Sequence, residues 1–441
     1  MVKAKLPPGR ESPLYAPCQK REGVLSLDFL QKKSLQELID LARRRNIRMR
    51  PEVSRHYLIL DLVRSALAVQ EIVAGGGMLE ISGTHGVLRS SLFNFKPNVE
   101  DVQIPATIIR QFSLKPGLEI HGSICTAMDR GGGLVLKSVH TIEGVEATNW
   151  TASKDFEQLT PIFPQRRLVL ENRAYPSIAV RAVDIIAPLG MGQRGLIVSP
   201  PRAGKTMLMR DIARAIIANH YDVHLILLLV DERPEEVTDL RRDVRAEVIS
   251  STFDEPITRH VQVCELVAER AKRLVELGKD VVILLDSITR MARGYNNLRP
   301  KKDRTMSGGV ASKALTRPRK FFSAARNIEE GGSLTILATA LIDTQSRMDD
   351  LIFEEFKGTG NMEVHLDRTI AEQRIFPALH IVKSSTRREE LLYHPDEYQR
   401  VLLLRRQLSG LPAAEAMQIF AANLETTRTN AELLLVGLRG I

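Results

Sequence analysis

The chain of 441 residues predicts an α/β core on a parallel sheet, preceded by a small helical cap and an all-β barrel. Three observations carry this. RGLIVS, HLILLLV, DVVILLD and SLTILATAL are near-continuous apolar runs, as strands buried on both faces require. MLMRDIARAIIANH and RHVQVCELVAERAKRLVELG separate them with helical periodicity, the alternation of a sheet covered on both sides. Ahead of them lie short alternating segments punctuated by glycine, the pattern of a small barrel.

Taken in order, residues 1–25 are rich in Pro, Lys and Arg and read as a flexible basic tail. Residues 26–72 read as a helical subdomain. Ser34 followed by Glu37 resembles a capping box before LIDLARRR, and Tyr57, Leu58, Leu60, Leu62 and Val63 mark a second helix. The texture changes at Gly75-Gly76-Gly77. GMLEIS, HGVLRS, DVQIPA, EIHGSIC and LVLKSVHTI then predict a barrel of the oligonucleotide-binding type over 73–153. Residues 154–177 are a proline-bearing linker, and 178–441 form the α/β core with a helical C-terminus.

Composition bounds the function. With 44% hydrophobic and 26% charged residues the chain reads as globular, and a net charge of +9 favours a polyanionic partner. Cys18, Cys125 and Cys264 are scattered with no CxxC pair, which argues against a zinc site or disulfide framework. The N-terminus has no apolar signal segment, and no run approaches the ~18 apolar residues of a membrane span. The expected setting is the cytoplasm, with no membrane partner.

The chemistry starts at VSPPRAGKT. A strand runs into Ser199, Pro200, Pro201, Arg202, Ala203 and Gly204, and a helix opens at Lys205, Thr206 and Met207. Loop amides and a helix N-terminus face phosphates in such a turn, Lys205 adds a mobile charge, and Thr206 offers a hydroxyl to Mg2+. Ser199 stands where the usual pattern has glycine. Asp286 ends the strand DVVILLD, a magnesium-side position whose plainer reading is a helix N-cap. Asp231-Glu232-Arg233 follows HLILLLV at the same sheet edge, where Glu232 would orient and polarise the attacking water. ATP and Mg2+ are the implied cofactors.

GLIVSPPRAGKTML, VDERPEEVTDL, VISSTFDEPITRHVQV, VVILLDSITRMARGYN, ALTRPRKFF, AARNIEEGGSLTILATALIDT, EEFKGTGNMEVHLDR and SSTRREELL together closely resemble the Rho family of ring-shaped, RNA-dependent ATPases and helicases. The resemblance spans roughly 178–392; the N-terminal part shares the order of cap and barrel with a weaker residue match. It implies a RecA-like core, a homohexamer and 5′-to-3′ movement on single-stranded RNA. It also implies release of transcripts from the RNA polymerase elongation complex, with a possible termination cofactor. Residue by residue, it makes Ser199 a family feature, Glu232 the catalytic glutamate and Asp286 the magnesium-side carboxylate. Arg387 is the arginine reaching a neighbour's nucleotide, Arg233 a phosphate-sensing arginine, and Phe376 the aromatic on adenine. RNA would touch Arg89 in the barrel, and Arg304, Arg347 and Lys357 around a central channel whose loops are 298–309 and 345–349.

The barrel departs from that pattern. His85, Val87 and Gln103 stand where stacking aromatics are expected, and Leu134 is expected to replace another. Phe93 and Phe95 are candidates to compensate or to fill a core. Two other readings stay open: a rotary or export-type ring ATPase subunit, and a catalytically impaired RNA-binding regulator.

Overall fold

Ser34 accepts a hydrogen bond from the Glu37 amide while the Glu37 carboxylate accepts from the Ser34 amide, so the capping box exists as read and opens helix Leu35–Arg44. The computed structural model describes residues 24–49, 52, 54–83, 85–127, 132–299, 309–311 and 313–439. It divides into two units, 1–152 and 153–441. The tail over 1–23, Cys18, Arg304 and most of the 298–309 loop lie outside the described residues.

In the first unit the strands are β1 (Val24–Ser26), β2 (Ile72–Ser82), β3 (His85–Arg89), β4 (Val102–Ile104), β5 (Glu119–Thr126), β6 (Leu134–Ile142) and β7 (Val145–Glu146). The order β2-β3-β4-β6-β5 closes through β5 onto β2, which removes the free edges; β1 adds to β2 and β7 to β6. Leu38 and Ala42, with Ile59, Leu62 and Val63 of helix Arg55–Ala68, share one core with Leu79, Leu88, Ile104, Ile120 and Leu136 of the barrel. The triple glycine is not a break. β2 runs through it because a Cβ at Gly76 would lie 2.4 Å from the Ile120 carbonyl oxygen, and one at Gly77 2.5 Å from that of Arg89. Glycine here lets strands approach.

The second unit holds β8 (Pro161–Ile162), β9 (Arg194–Ser199), β10 (His224–Glu232), β11 (Glu247–Thr252), β12 (Asp280–Asp286), β13 (Arg326–Ile328), β14 (Ser333–Leu341), β15 (Met362–His365) and β16 (Ser385–Thr386). Six run parallel in the order β11-β10-β12-β14-β9-β15, with β16 antiparallel on one edge and β13 and β8 off the main path. The register pairs Leu229 with Asp286 and Leu341 with Ser199, so Ser199, Glu232 and Asp286 all leave the carboxyl edge of the sheet. That edge is where open α/β sheets place their ligands. Helix Lys205–Asn219 and the C-terminal helices Pro395–Ser409, Ala413–Thr426 and Asn430–Val436 contribute to the core on this sheet. Among the described residues no helix is long and apolar enough to cross a membrane.

Candidate active site

The phosphate loop takes its shape from two residues in the left-handed region, Arg202 at φ 66° and Gly204 at φ 93°. Helix Lys205–Asn219 starts directly after Gly204 with no side-chain cap, so its first amides remain available to an anion. Ser199 is buried and its hydroxyl donates to the Pro200 carbonyl at 2.9 Å. Its side chain therefore braces the loop and does not point at a phosphate. The Phe376 ring lies 3.9 Å from where a Cβ on Gly204 would stand, and both Phe376 and Met207 are more than half or about half exposed, at 50% and 59% respectively. Two apolar side chains left to solvent beside a phosphate loop suit the faces of a base.

Lys205 donates to Asp286 at 2.5 Å, and Asp286 also accepts from the Thr339 hydroxyl at 2.8 Å. Asp286 is not the helix cap: Ser287 takes that role, accepting from the Arg290 amide at 3.2 Å. A hydroxyl on Thr206 and one carboxylate on Asp286 are a fit donor set for Mg2+, which binds few protein oxygens and completes its shell with water and phosphate. Among the described residues there is no cluster of three or more His, Cys, Asp or Glu for a metal.

Glu232 owes its position to a β-bulge. Val230 pairs with Ser251 and Glu232 with Thr252, leaving Asp231 as the extra residue at φ 56°. The bulge re-aims the side chain that follows it. Glu232 is buried, and its carboxylate accepts from Arg290 at 2.6 Å. Arg290 donates as well to the Asp231 carbonyl at 2.5 Å. Burial raises the Glu232 pKa above its ordinary value of 4.5; Asp286 adds to the rise, while Arg290 and Lys205 oppose it. A base must be ionised, so the acid limb of kcat/KM for ATP is expected above 4.5, and Arg290→Ala should move it further up. A pH–rate profile of both proteins checks this; an acid limb unmoved by the substitution would count against Glu232 as the base.

Arg290 and a second arginine, Arg293, were not legible as site residues. Arg293 pairs with Asp349 through two bonds of 2.8 and 2.5 Å, and the Thr344 hydroxyl donates to the same buried carboxylate at 2.6 Å. Asp349 ends the 345–349 segment predicted to be a loop facing RNA, but the structure puts Arg347, Met348 and Asp349 in the first turn of helix Arg347–Lys357. Removing Arg293 strips a buried carboxylate of its charged partner, so Arg293→Ala is expected to cost about 2 kcal/mol. Urea unfolding measures it.

Arg387 follows β16 and is exposed; its amide donates to the Asn361 carbonyl at 2.8 Å. Asn361 in turn accepts from the Arg194 amide at 2.8 Å, which places Arg387 at the amino end of β9. The phosphate loop leaves the carboxyl end, five residues and roughly 16 Å away at ~3.3 Å per strand residue. Arg387 therefore does not serve its own loop. Among the described residues its guanidinium has no acidic partner, whereas Arg388 pairs with Glu390 at 2.6 Å and stacks over Phe163. Arg233 is exposed at the start of helix Pro234–Asp243.

The RNA candidates separate. Arg347 is exposed at the first residue of the 11-residue helix Arg347–Lys357 and Lys357 ends it, about 15 Å away at 1.5 Å per residue. Lys357 lies 3.8 Å from Glu354 and over the Phe353 ring. Arg89 is held by Glu80 at 2.6 Å and by Asp101. Leu134 faces the barrel interior, so the outward residue there is Val135. Phe95 fills the core, and Phe93 is flanked by His56 and Arg55.

Two family profiles match the chain. Residues 75–148 match the Rho termination factor, RNA-binding domain, and residues 179–386 match the ATP synthase alpha/beta family, nucleotide-binding domain. Transcription termination factor Rho of Akkermansia muciniphila is 48% identical over 416 residues, covering 94% of this chain and 88% of that protein. The same factor from Allochromatium vinosum is 50% identical over 411 residues, covering 92% and 98%.

The chain belongs to the Rho family.

Rho of Bacillus subtilis, 46% identical over 409 residues and covering 92% of this chain and 95% of that one, is a further relative. Among solved structures, an ATPase from the type III secretion system of pathogenic bacteria superposes with a TM-score of 0.52 at 19% identity, over 63% of this chain and 85% of that one. That likeness shows a shared fold alone. For this Rho-family chain, Ser199 and the bulged Glu232 thus sit in a RecA-like nucleotide-binding unit that follows an RNA-binding barrel.

Proposed function

We propose that the chain is an ATP-driven RNA translocase and helicase that ends transcription by drawing nascent RNA from RNA polymerase. One observation carries the mechanism: a single chain holds Lys205, Glu232 and Asp286 together but keeps Arg387 at the opposite end of β9. A site completed from outside calls for a closed set of like subunits, each lending its arginine to the next. A homohexamer fits this requirement and the family.

Within each site the loop amides and Lys205 hold the phosphates, and Phe376 and Met207 flank the adenine. Glu232 orients the attacking water, while the neighbour's Arg387 meets charge that develops in the transition state. Arg233 senses the same phosphates near the boundary. Mg2+, held by Thr206 and Asp286 with the nucleotide, would supply charge neutralisation on the phosphate oxygens. Lys205 must leave Asp286 for this arrangement to form. RNA meets the barrel first and then Arg347 and its loop, which Asp349 ties through Arg293 to the helix carrying Arg290. Lys357 supports that helix from its far end, and Arg304 belongs to the companion loop. The cytoplasm is the setting such a reaction needs, and a termination cofactor is a possible further partner.

ATP hydrolysis with and without RNA tests the reading. Stimulation by RNA is expected; its absence at every ionic strength would sink it. Arg347→Ala should weaken that stimulation more than it weakens ATP binding.

A further inference from the structure

Arg387 sits where two strands end together. Met362 pairs with Thr386 across β15 and β16, and with Gly195 across β15 and β9. One step beyond these pairs, the Asn361 carbonyl accepts from the Arg387 amide at 2.8 Å. Asn361 is also bound to β9. Its amide donates to the Arg194 carbonyl at 2.9 Å, and its Oδ1 accepts from the Arg194 amide at 2.8 Å. Asn361 is thus the joint between Arg387 and β9.

Gln193 locks that joint. Its side chain is buried, and Nε2 donates to the Asn361 carbonyl at 3.1 Å and to Asn361 Oδ1 at 2.7 Å. A donor group that bridges a backbone and a side-chain oxygen fixes how the Asn361 peptide is turned, and so where the Arg387 amide is held. The other end of the glutamine amide, Oε1, is buried with no hydrogen-bond partner among the described residues. An unpaired buried acceptor costs about 1–3 kcal/mol. An apolar side chain of similar length would avoid that cost, so packing alone does not account for a glutamine here.

The surroundings keep the Arg387 side chain turned to solvent. Arg194 is itself held by the Thr359 and Ala325 carbonyls at 3.1 Å each. It is near enough to feel its neighbours: burial first, then the charges of Arg326 and Arg387, push its pKa below the ordinary value. Like charges at this end of the sheet favour an exposed Arg387, as observed. Beyond it the chain turns at Arg388, φ 60°, whose guanidinium is engaged by Phe163 and Glu390.

We propose that Gln193 and Asn361 position Arg387 for the neighbouring subunit's nucleotide. Both lie away from the phosphate loop and act through the arginine. The proposal rests on the reading of Arg387 as the group that completes a neighbour's site. A side chain that meets charge developing in a transition state must be placed closely, and a misplacement of about 1 Å can lower the rate on the order of 10²-fold.

Gln193→Met tests this, because it keeps the length of the side chain and removes the donor. ATP turnover should fall about 10²-fold. ATP binding should stay native, since the phosphate loop leaves the far end of β9. Co-assembly then locates the defect. Mixing with Lys205→Ala, whose Arg387 is intact, should restore turnover; mixing with Arg387→Ala should not. A thermal melt checks folding, and Asn361→Ala, with the same expected pattern, takes over if Gln193→Met does not fold. Native turnover would overturn the proposal. So would recovery with Arg387→Ala, which puts the fault in the variant's own phosphate loop, or recovery with neither partner. Arg387→Ala alone separates the two readings. If it hydrolyses ATP at the native rate, the reading of Arg387 falls. If it is inactive while Gln193→Met is native, only the role of Gln193 and Asn361 falls.

Discussion

Arg387→Ala is expected to lower ATP turnover by roughly 10³-fold or more, the range in which an inserted arginine acts in phosphoryl transfer. The position of Arg387 at the amino end of β9 decides what accompanies that loss. ATP should still bind the mutant's own phosphate loop, because that loop is untouched. The decisive measurement mixes two inactive proteins. Arg387→Ala supplies an intact Lys205, and Lys205→Ala supplies an intact Arg387, so mixed assemblies contain some complete interfaces. Recovery of activity on mixing is expected. If mixtures stay as inactive as their components while native subunits mixed with either remain active, the arginine does not act across a boundary.

Glu232→Gln should lower turnover by roughly 10²–10⁴-fold, the span of general-base catalysis, with ATP affinity nearly unchanged. The amide keeps the shape of the side chain and much of its contact with Arg290, so the protein should fold. It cannot accept a proton from water. An unchanged rate in single-turnover measurements would reject the assignment. The substitution should also lift the repulsion between Glu232 and Asp286, the charge that most raises the glutamate pKa after burial.

The strands of the parallel sheet were legible because burial on both faces leaves an unbroken apolar signature. β11 and β15 were not singled out, since each is short and carries polar residues such as Glu247 or Glu363. Gly75–Gly77 misled for a physical reason. Glycine marks both turns and tight strand contacts, and only the distance to Ile120 and Arg89 tells them apart. Glu232 was legible as a residue type at a strand end, but its bulge was not, because the extra residue is visible only in the pairing with β11. Arg290 and Arg293 lay beyond local reading: arginines on a helix normally face water, and their acids lie more than fifty residues away. Leu134, expected in place of a stacking aromatic, is fully buried, because one position along a strand decides inside from outside.

Helix Ile288–Asn297 holds Glu232 with one arginine and Asp349 with another three residues on. Those two grips are about 4.5 Å apart along a continuous rod. A gear train fails when its teeth have play, because the driven wheel can lag the driver. Here the spacing leaves almost no backlash. On the proposed roles, a tilt of the rod that disturbs the Glu232 carboxylate is expected to be felt at the edge of the 345–349 segment within the same motion.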